Sequence, residues 1–203
     1  MYPNFKEEKI LWEKGFKFVA GLDEVGRGPL AGPVVAAAVV INVKNYKEVE
    51  KLLCGINDSK KLSKIQKEYF YDILINNKDI KWGVGIVSEK IIDKINILQA
   101  TKLAMLKATN KLDADYLLLD GNFKINSVIY QKSIIKGDQK VTSISAASVI
   151  AKVTRDRIMD KYDKKYPQYE FAKHKGYGTK LHMNMIKKFG NCPIHRKSFR
   201  GTV

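Results

Sequence analysis

The feature that most constrains this chain is an adjacent pair of carboxylates, Asp23 and Glu24, between two apolar runs. Residues 18–22 are apolar and lead into the pair, and Gly-Arg-Gly at residues 26–28 precedes a second apolar run at residues 34–41. A buried strand usually ends in neutral residues, because unpaired charge is costly to desolvate. A divalent cation would explain two neighbouring acids at a strand end, and a strand-end turn explains them equally well.

Composition indicates a folded, strongly basic protein. The 203 residues suit a single domain, residues 1–203, and the 45% hydrophobic content argues against disorder. The net charge is +16, and no acidic residue follows Glu170, so half of that charge lies in a basic C-terminal segment of about residues 165–203. Such a segment is typical of a protein that binds a polyanion such as nucleic acid, and a lysine-rich solubility surface is an equal alternative.

The chain carries no pattern typical of secretion or of a membrane span. Cys54 and Cys192 lack a CxxC partner, as expected for reduced thiols in the cytosol. The N-terminus does not resemble a signal peptide, and the apolar runs are shorter than the roughly 20 residues that cross a bilayer. We therefore expect a cytoplasmic, monomeric protein without membrane contact.

Hydrophobic periodicity predicts an α/β fold: a five-stranded mixed sheet flanked by helices, with a helical basic C-terminal segment. Strands are predicted at about residues 17–24, 33–42, 82–87, 116–119 and 127–135. Helices are predicted at about residues 5–16, 46–53, 64–75, 88–94, 96–112, 142–162 and 179–189. The long helix from residue 142 begins with small residues, which would let its backbone approach the sheet closely.

Two further acids follow predicted strands. Asp120 ends the most apolar strand, and Asp138 comes just after the next one. If these strand ends meet Asp23 and Glu24, four carboxylates converge, and two Mg²⁺ or Mn²⁺ ions would relieve their repulsion and serve phosphodiester hydrolysis. Taken alone, Asp120-Gly121 is more typical of a hairpin turn, and Gly137-Asp138 is likewise more typical of a turn.

Rival motifs are absent or incomplete. The sequence has neither a P-loop nor a GxSxG nucleophile elbow, and its GxGxxxG spacing departs from the dinucleotide fingerprint. His174, His182, Cys192 and His195 fit no familiar zinc spacing, so surface histidines in a basic tail are expected instead.

Several blocks in order resemble the ribonuclease HII family, and they extend over nearly the whole chain. They are Asp23–Val34, Asp58–Leu62, Leu119–Asn122, Lys136–Asp138, Ser145–Arg157, His174–Thr179 and His195–Phe199. The resemblance implies an RNase H-like fold and endonucleolytic cleavage of the RNA strand of RNA–DNA hybrids. It also implies incision on the 5′ side of single ribonucleotides in duplex DNA, which leaves 3′-hydroxyl and 5′-phosphate ends.

The resemblance also implies roles for individual residues. Asp23, Glu24, Asp120 and Asp138 would be the catalytic, metal-binding carboxylates. Gly26, Arg27 and Gly28 would sense the ribose 2′-hydroxyl through the backbone, since glycines allow close approach of a ligand. Tyr177 would stack on the next, deoxy, sugar.

The remaining expected substrate contacts have ordinary structural alternatives. Lys175 and Lys180 would bind phosphates without reading sequence. Ser59 and Lys60 would do the same near the scissile site, although Ser59 suits a helix cap equally well. Ser148 and Lys152 would touch the minor groove, although core packing and surface charge explain them better. Two other functions stay open: a hybrid nuclease like ribonuclease HIII, and a duplex-binding protein without catalysis.

Overall fold

A computed structural model describes residues 2–110 and 112–202. One five-stranded sheet forms its centre, in the order β3-β2-β1-β4-β5. The strands are β1 (Val19–Val25), β2 (Val34–Ile41), β3 (Ile80–Val87), β4 (Tyr116–Asp120) and β5 (Tyr130–Ile134). The helices are α1 (Lys6–Glu13), α2 (Tyr46–Leu52), α3 (Lys64–Asn76), α4 (Glu89–Thr109), α5 (Thr142–Lys165), α6 (Phe171–His174) and α7 (Lys180–Phe189).

The sheet is mixed, as the sequence predicts. Strands β1, β2 and β3 pair antiparallel, whereas β4 pairs parallel with both β1 and β5. All eight residues of β2 are buried, because the strand faces a helical layer on each side. Val35, Val39 and alternate neighbours pack with α3 and α5, and Val34, Val40 and their neighbours pack with α4.

Small residues bring both helical layers close to the sheet. A Cβ on Gly21 of β1 would lie 2.3 Å from the backbone carbon of Ser143 in α5. On the other face, a Cβ on Gly85 of β3 would lie 1.9 Å from the carbonyl oxygen of Ala104 in α4. The prediction of a close approach by the first turns of α5 is confirmed.

Side chains cap three helix starts. Ser63 accepts a hydrogen bond from the backbone of Gln66, whose side chain accepts one from the Ser63 backbone in return. Thr179 caps α7 through the backbone N–H of His182, at 3.3 Å. Asn96 interrupts α4 with φ 64° and accepts from the backbone of Gln99, so the two predicted helices are joined end to end there.

The structure differs from the predicted secondary structure in two places. Strand β5 is shorter than predicted, because Ser127–Ile129 lie in an irregular loop and Val128 is fully exposed. The basic C-terminal segment contains three short helical pieces (a 3₁₀ turn at Pro167–Tyr169, then α6 and α7) where one helix was predicted. Among the described residues, no helix has the length and apolar character needed to cross a membrane.

Candidate active site

Three of the four predicted carboxylates meet at one edge of the sheet. Strands β1 and β4 run parallel with Leu22 opposite Leu119, so the next residues, Asp23 and Asp120, lie side by side at the same end of the sheet. Asp120-Gly121 is not a two-residue hairpin, since β4 and β5 are parallel. The 3₁₀ turn Gly137–Gln139 after β5 returns Asp138 to the same edge. Carboxylate oxygens of Asp23, Asp120 and Asp138 lie within 4.8 Å of one another.

Backbone geometry fixes the third acid. The N–H of Gly137 donates to Oδ1 of Asp120 at 2.7 Å, which joins the turn to the end of β4. A Cβ on Gly137 would lie 2.7 Å from Cδ1 of Ile144, so the turn packs tightly on α5. The turn expected at Gly137-Asp138 is therefore present, and the same turn delivers Asp138 to the acidic cluster.

Burial and mutual repulsion perturb these acids. Asp23 is 6% exposed, and burial followed by the charges of Glu24 and Asp120 raises its pKa well above the ordinary value. Burial, then repulsion by Asp120 and Asp58, raises the pKa of Asp138 to about 6. Burial opposes the charge of Lys60, but attraction to Asp58 and the cluster raises the pKa of that ammonium. Positive charge bound among these acids would therefore relieve their mutual repulsion.

Glu24 lies at the rim of the three-residue cluster. Its Oε1 forms an ion pair with Nη1 of Arg27 at 3.3 Å. Its Oε2 is buried and has no hydrogen-bond partner among the residues that the structure describes. Burial raises the pKa of Glu24 even though Arg27 opposes the rise. An unsatisfied buried carboxylate oxygen beside three other acids is a position that a bound cation would fill.

The donor set suits hard divalent cations. Every ligand atom in the cluster is a carboxylate oxygen, the type that Mg²⁺ and Mn²⁺ prefer. Within residues 2–110 and 112–202, no lysine or arginine forms an ion pair with Asp23, Asp120 or Asp138. These residues therefore fit the metal ions expected from the sequence.

The Gly-Arg-Gly segment (Gly26, Arg27 and Gly28) follows β1 directly, so it borders the acidic cluster. Gly26 has φ 95°, and a Cβ there would lie 2.3 Å from Nε of Arg155 and 2.7 Å from the Pro33 carbonyl oxygen. A side chain at this position would be both strained and obstructed. Residue 26 must therefore be glycine, because of both its positive φ and the contacts that a Cβ would make.

Tyr177 lies beside the same segment although it is distant in sequence. A Cβ placed on Gly28 would be 3.8 Å from Cε1 of the Tyr177 ring, and the residue is 41% exposed. The neighbouring carbonyl of Gly176 accepts a hydrogen bond from the Leu30 backbone at 2.8 Å. The fold thereby presents an accessible aromatic ring next to Gly28.

The other expected substrate contacts are two serines, which lie close together, and four lysines. Ser59 and Ser148 are buried, and their hydroxyl oxygens are 3.0 Å apart beside Asp23. Ser63 caps α3, so the helix-cap interpretation of Ser59 is wrong.

Lys60 is the lysine whose pKa the acidic cluster raises, and the other lysines that were expected to contact substrate pair with different acids or are exposed. Lys152 pairs with Asp156 at 2.6 Å, and Lys175 pairs with Asp160. Lys180 is exposed at the first turn of α7. In the part of the chain that the structure describes, none of these three ammonium groups forms an ion pair with Asp23, Asp120 or Asp138.

The histidines of the C-terminal segment are buried, so the expectation of surface histidines is wrong. His174, His182 and His195 are 7%, 0% and 2% exposed. The rings of His174 and His182 stack with centroids 4.3 Å apart, and Nε2 of His182 is 3.0 Å from Nε2 of His195. Phe171 and Tyr169 pack around them, which buries a stack that no local sequence pattern reveals.

The shorter hydrogen bonds of this histidine cluster (His174, His182 and His195) are consistent with neutral rings. Nδ1 of His182 faces the Tyr177 carbonyl at 3.0 Å and donates to it, which leaves Nε2 free to accept from His195. Nδ1 of His195 then accepts from the Cys192 backbone at 2.8 Å. Burial, followed by repulsion from His174, lowers the pKa of His182 to about 4.

We expect acid to destabilise the fold through this cluster. The unfolded histidine binds a proton near pH 6.5 and the folded one near 4, so the contribution is present above pH 6.5 and is lost as the pH falls towards 4. For His182 the loss amounts to roughly 3 kcal/mol once the pH reaches 4, and to about 2 kcal/mol at pH 5. Thermal unfolding from pH 8 to pH 5 measures it. His182→Asn keeps a donor towards Tyr177 and should flatten the pH dependence, whereas an unchanged slope would contradict the assignment.

Sequence reasoning missed three residues of this corner. Asp58 is buried, accepts from the backbone of Lys60 at 2.9 Å and raises the pKa of Asp138. Arg155 and Arg196 are both completely buried. Asp58 is part of the quoted block Asp58–Leu62, and the arginines are part of other blocks, but nothing in the sequence shows that their side chains turn inward.

Comparison with known proteins identifies the architecture and then the family. The sheet flanked by helices is the RNase H-like fold. It is shared with ribonuclease H2 from Pyrococcus horikoshii, at a TM-score of 0.74 and 31% identity over 91% of this chain and 95% of that one. A ribonuclease HIII, Bst-RNase HIII, solved in complex with Mn²⁺ has the same fold, at a TM-score of 0.69 and 16% identity over 91% of this chain and 68% of that one.

Sequence similarity defines the family more narrowly. A family model described as Ribonuclease HII matches residues 20–202. A ribonuclease HII of Acetivibrio thermocellus is 55% identical over 195 residues, which cover 95% of this chain and 73% of that relative. The chain belongs to the ribonuclease HII family. It is a hydrolase of the ribonuclease H type, an endonuclease that acts on nucleic acid.

Proposed function

We propose that the protein cleaves the RNA strand of RNA–DNA hybrids and incises duplex DNA on the 5′ side of single ribonucleotides. The products would carry 3′-hydroxyl and 5′-phosphate ends. Residues 1–203 would act as one catalytic domain, with residues of about 165–203 binding the duplex. We further propose that the protein works as a cytoplasmic monomer in ribonucleotide excision repair.

The observation that carries this proposal is the convergence of three features in one corner. The acidic cluster, the Gly-Arg-Gly segment and the exposed Tyr177 ring are contiguous, although they come from residues 23–28, 120–138 and 177. The cluster supplies the charge arrangement for phosphodiester hydrolysis. The backbone of residues 26–28 supplies donors and acceptors for a 2′-hydroxyl, the group that distinguishes RNA from DNA.

Asp23, Glu24, Asp120 and Asp138 would hold the metal ions, which we propose are two Mg²⁺ or Mn²⁺ ions. Bound divalent cations would offset the negative charge on the scissile phosphate and activate a water molecule for attack. The buried hydroxyls of Ser59 and Ser148 would keep Asp23 in place, since they bond to each other beside it. Lys60 would attract the incoming phosphate, and Lys152, Lys175 and Lys180 would contact flanking phosphates or the minor groove.

Cleavage of three matched duplexes tests the proposal. The substrates are a DNA duplex with one ribonucleotide, a hybrid with an all-RNA strand and an all-DNA duplex, each with Mg²⁺ and then with Mn²⁺. We expect nicking of the first two and none of the third. Binding without nicking would indicate a duplex-binding protein, and cleavage of the hybrid alone would indicate activity like that of ribonuclease HIII.

We expect Tyr177→Ala to reduce cleavage at a single ribonucleotide by about tenfold to a hundredfold, because stacking on a nucleotide is worth roughly 1–3 kcal/mol. Tyr177→Phe keeps the ring and is the matched control, with a rate within a few-fold of the unmodified protein. Single-turnover rates at saturating protein separate this loss from weaker binding. A Tyr177→Ala protein with an unchanged rate would remove Tyr177 from the site.

A further inference from the structure

Arg196 binds the backbone of the Gly-Arg-Gly segment from beneath. Its Nη2 donates to the Gly26 carbonyl at 2.6 Å and its Nη1 to the Arg27 carbonyl at 3.0 Å. Its Nε donates to the Gly32 carbonyl at 2.9 Å. One rigid, planar group thus fixes two of the three carbonyls in the Gly-Arg-Gly segment.

Arg155 likewise binds backbone carbonyls, those of Ala31 and Pro33 just before β2. Its Nε donates to the Pro33 carbonyl at 3.0 Å and its Nη2 to the Ala31 carbonyl at 3.2 Å. Its Nη1 donates to the Lys175 carbonyl at 3.0 Å, two residues before Tyr177. The guanidinium carbon also lies 5.9 Å from the centroid of the Tyr177 ring. Arg155 therefore joins the segment after β1 to the backbone that carries Tyr177.

Burying two charged arginines to hold a loop has a high cost in free energy. Both are 0% exposed, and in the described part of the chain neither forms an ion pair. Burial lowers the pKa of both, and repulsion from Arg155 adds to the fall of the Arg196 pKa to about 9. Uncompensated buried charge is strongly unfavourable. Asp93 and Glu89 raise the pKa of Arg196 and Asp156 raises that of Arg155, but within residues 2–110 and 112–202 no carboxylate forms an ion pair with either group. The direct polar contacts of the two guanidinium groups are therefore the six bonds to carbonyls.

We propose that Arg155 and Arg196 are positioning residues that set the discrimination between ribose and deoxyribose, by holding the Gly-Arg-Gly backbone and Tyr177 in fixed relation to each other. This inference rests on the proposed function, because it assumes that residues 26–28 contact the 2′-hydroxyl. Arg196 orients the carbonyls of Gly26 and Arg27, and Arg155 fixes the distance from that backbone to the aromatic ring. Neither guanidinium needs to touch the substrate.

Lysine substitution separates geometry from charge. Arg196→Lys keeps the positive charge, but an ammonium on a flexible stem cannot bond three carbonyls in the plane of a guanidinium. The measurement is the ratio of the dissociation constants for an all-DNA duplex and for the same duplex with one ribonucleotide, with Ca²⁺ replacing Mg²⁺ so that binding is observed without cleavage. This ratio does not depend on the folded fraction, since both duplexes meet the same protein.

We expect the unmodified protein to prefer the ribonucleotide duplex, and Arg196→Lys to reduce that preference about tenfold, as expected for the loss of one well-placed hydrogen bond to the 2′-hydroxyl. Arg155→Lys should reduce it similarly. The matched control is Arg157→Lys on the same helix, an arginine that is largely exposed and paired with Glu68, which should leave the ratio unchanged.

The outcomes are distinct. A folded Arg196→Lys protein with the same ratio as the unmodified protein would overturn the proposal. If Arg155→Lys and Arg196→Lys could both be obtained only as unfolded proteins, the proposal would also be overturned, because the arginines would then be purely structural. An unmodified protein without any preference for the ribonucleotide would instead overturn the proposed function on which the inference rests.

Discussion

Asp120→Asn is expected to abolish cleavage, with a loss of roughly 10³-fold or more in the single-turnover rate. The change removes one negative charge from the cluster with Asp23 and Asp138 and weakens the site for divalent cations. The fold should survive, because the amide oxygen of asparagine can still accept from the Gly137 backbone, as Oδ1 of Asp120 does at 2.7 Å. Nicking of a ribonucleotide-containing duplex in Mg²⁺ measures the rate, and thermal unfolding measures the fold.

Asp113→Asn provides the matched control for that variant. The Asp113 side chain is 87% exposed and lies 3.9 Å from the Lys81 ammonium, so it contributes little to stability and nothing to the corner. Its rate should equal that of the unmodified protein. Full activity of purified Asp120→Asn protein would remove Asp120 from the reaction and with it the proposed metal site.

Gly21→Ala is expected to cost about 3 kcal/mol or more in the free energy of unfolding. The added Cβ would lie 2.3 Å from the backbone carbon and 2.4 Å from the hydroxyl oxygen of Ser143, so β1 and α5 would have to separate. Because Asp23 is two residues further along β1, that movement should also reduce cleavage. Denaturant unfolding at fixed pH measures the first effect, and the nicking assay measures the second.

Gly15→Ala distinguishes crowding from backbone strain. Gly15 has φ 94°, but within residues 2–110 and 112–202 no atom lies within 4 Å of a Cβ placed there. Alanine at that position should cost only about 1 kcal/mol from its unfavourable φ. Equal destabilisation by the two substitutions would contradict the view that close contact of β1 with α5 supports the catalytic corner.

Local chemistry made much of the fold predictable. Strands β1 and β2 follow from two apolar runs on either side of the Gly-Arg-Gly segment, and the helix cap at Ser63 follows from a serine three residues before a glutamine. The start of β5 was less predictable, since Ser127 and Val128 have strand-like neighbours but lie in the loop that precedes the strand. Strand β5 pairs with β4 alone, so the sheet stabilises less of it than the sequence pattern suggests.

The candidate site was predictable where it depends on strand ends and unpredictable where it depends on side chains from distant segments. For Asp120-Gly121, a hairpin and a parallel strand end give the same local sequence, and only the pairing of β4 with β1 and β5 decides between them. The contacts of Arg155 and Arg196 run across 20 to 170 positions of sequence. The buried histidine cluster is likewise created by tertiary packing, in a segment whose charge suggested a surface.

In this protein, one corner after β1 is proposed to carry both the charges for cleavage and the backbone groups that detect a 2′-hydroxyl. Mapping the nick at single-nucleotide resolution, on a DNA duplex with one ribonucleotide, tests that claim most directly. We expect one cut on the 5′ side of the ribonucleotide, with a 3′-hydroxyl and a 5′-phosphate, and no cut in the matched all-DNA duplex. Cuts scattered over the duplex, or an equal rate on the all-DNA strand, would contradict it.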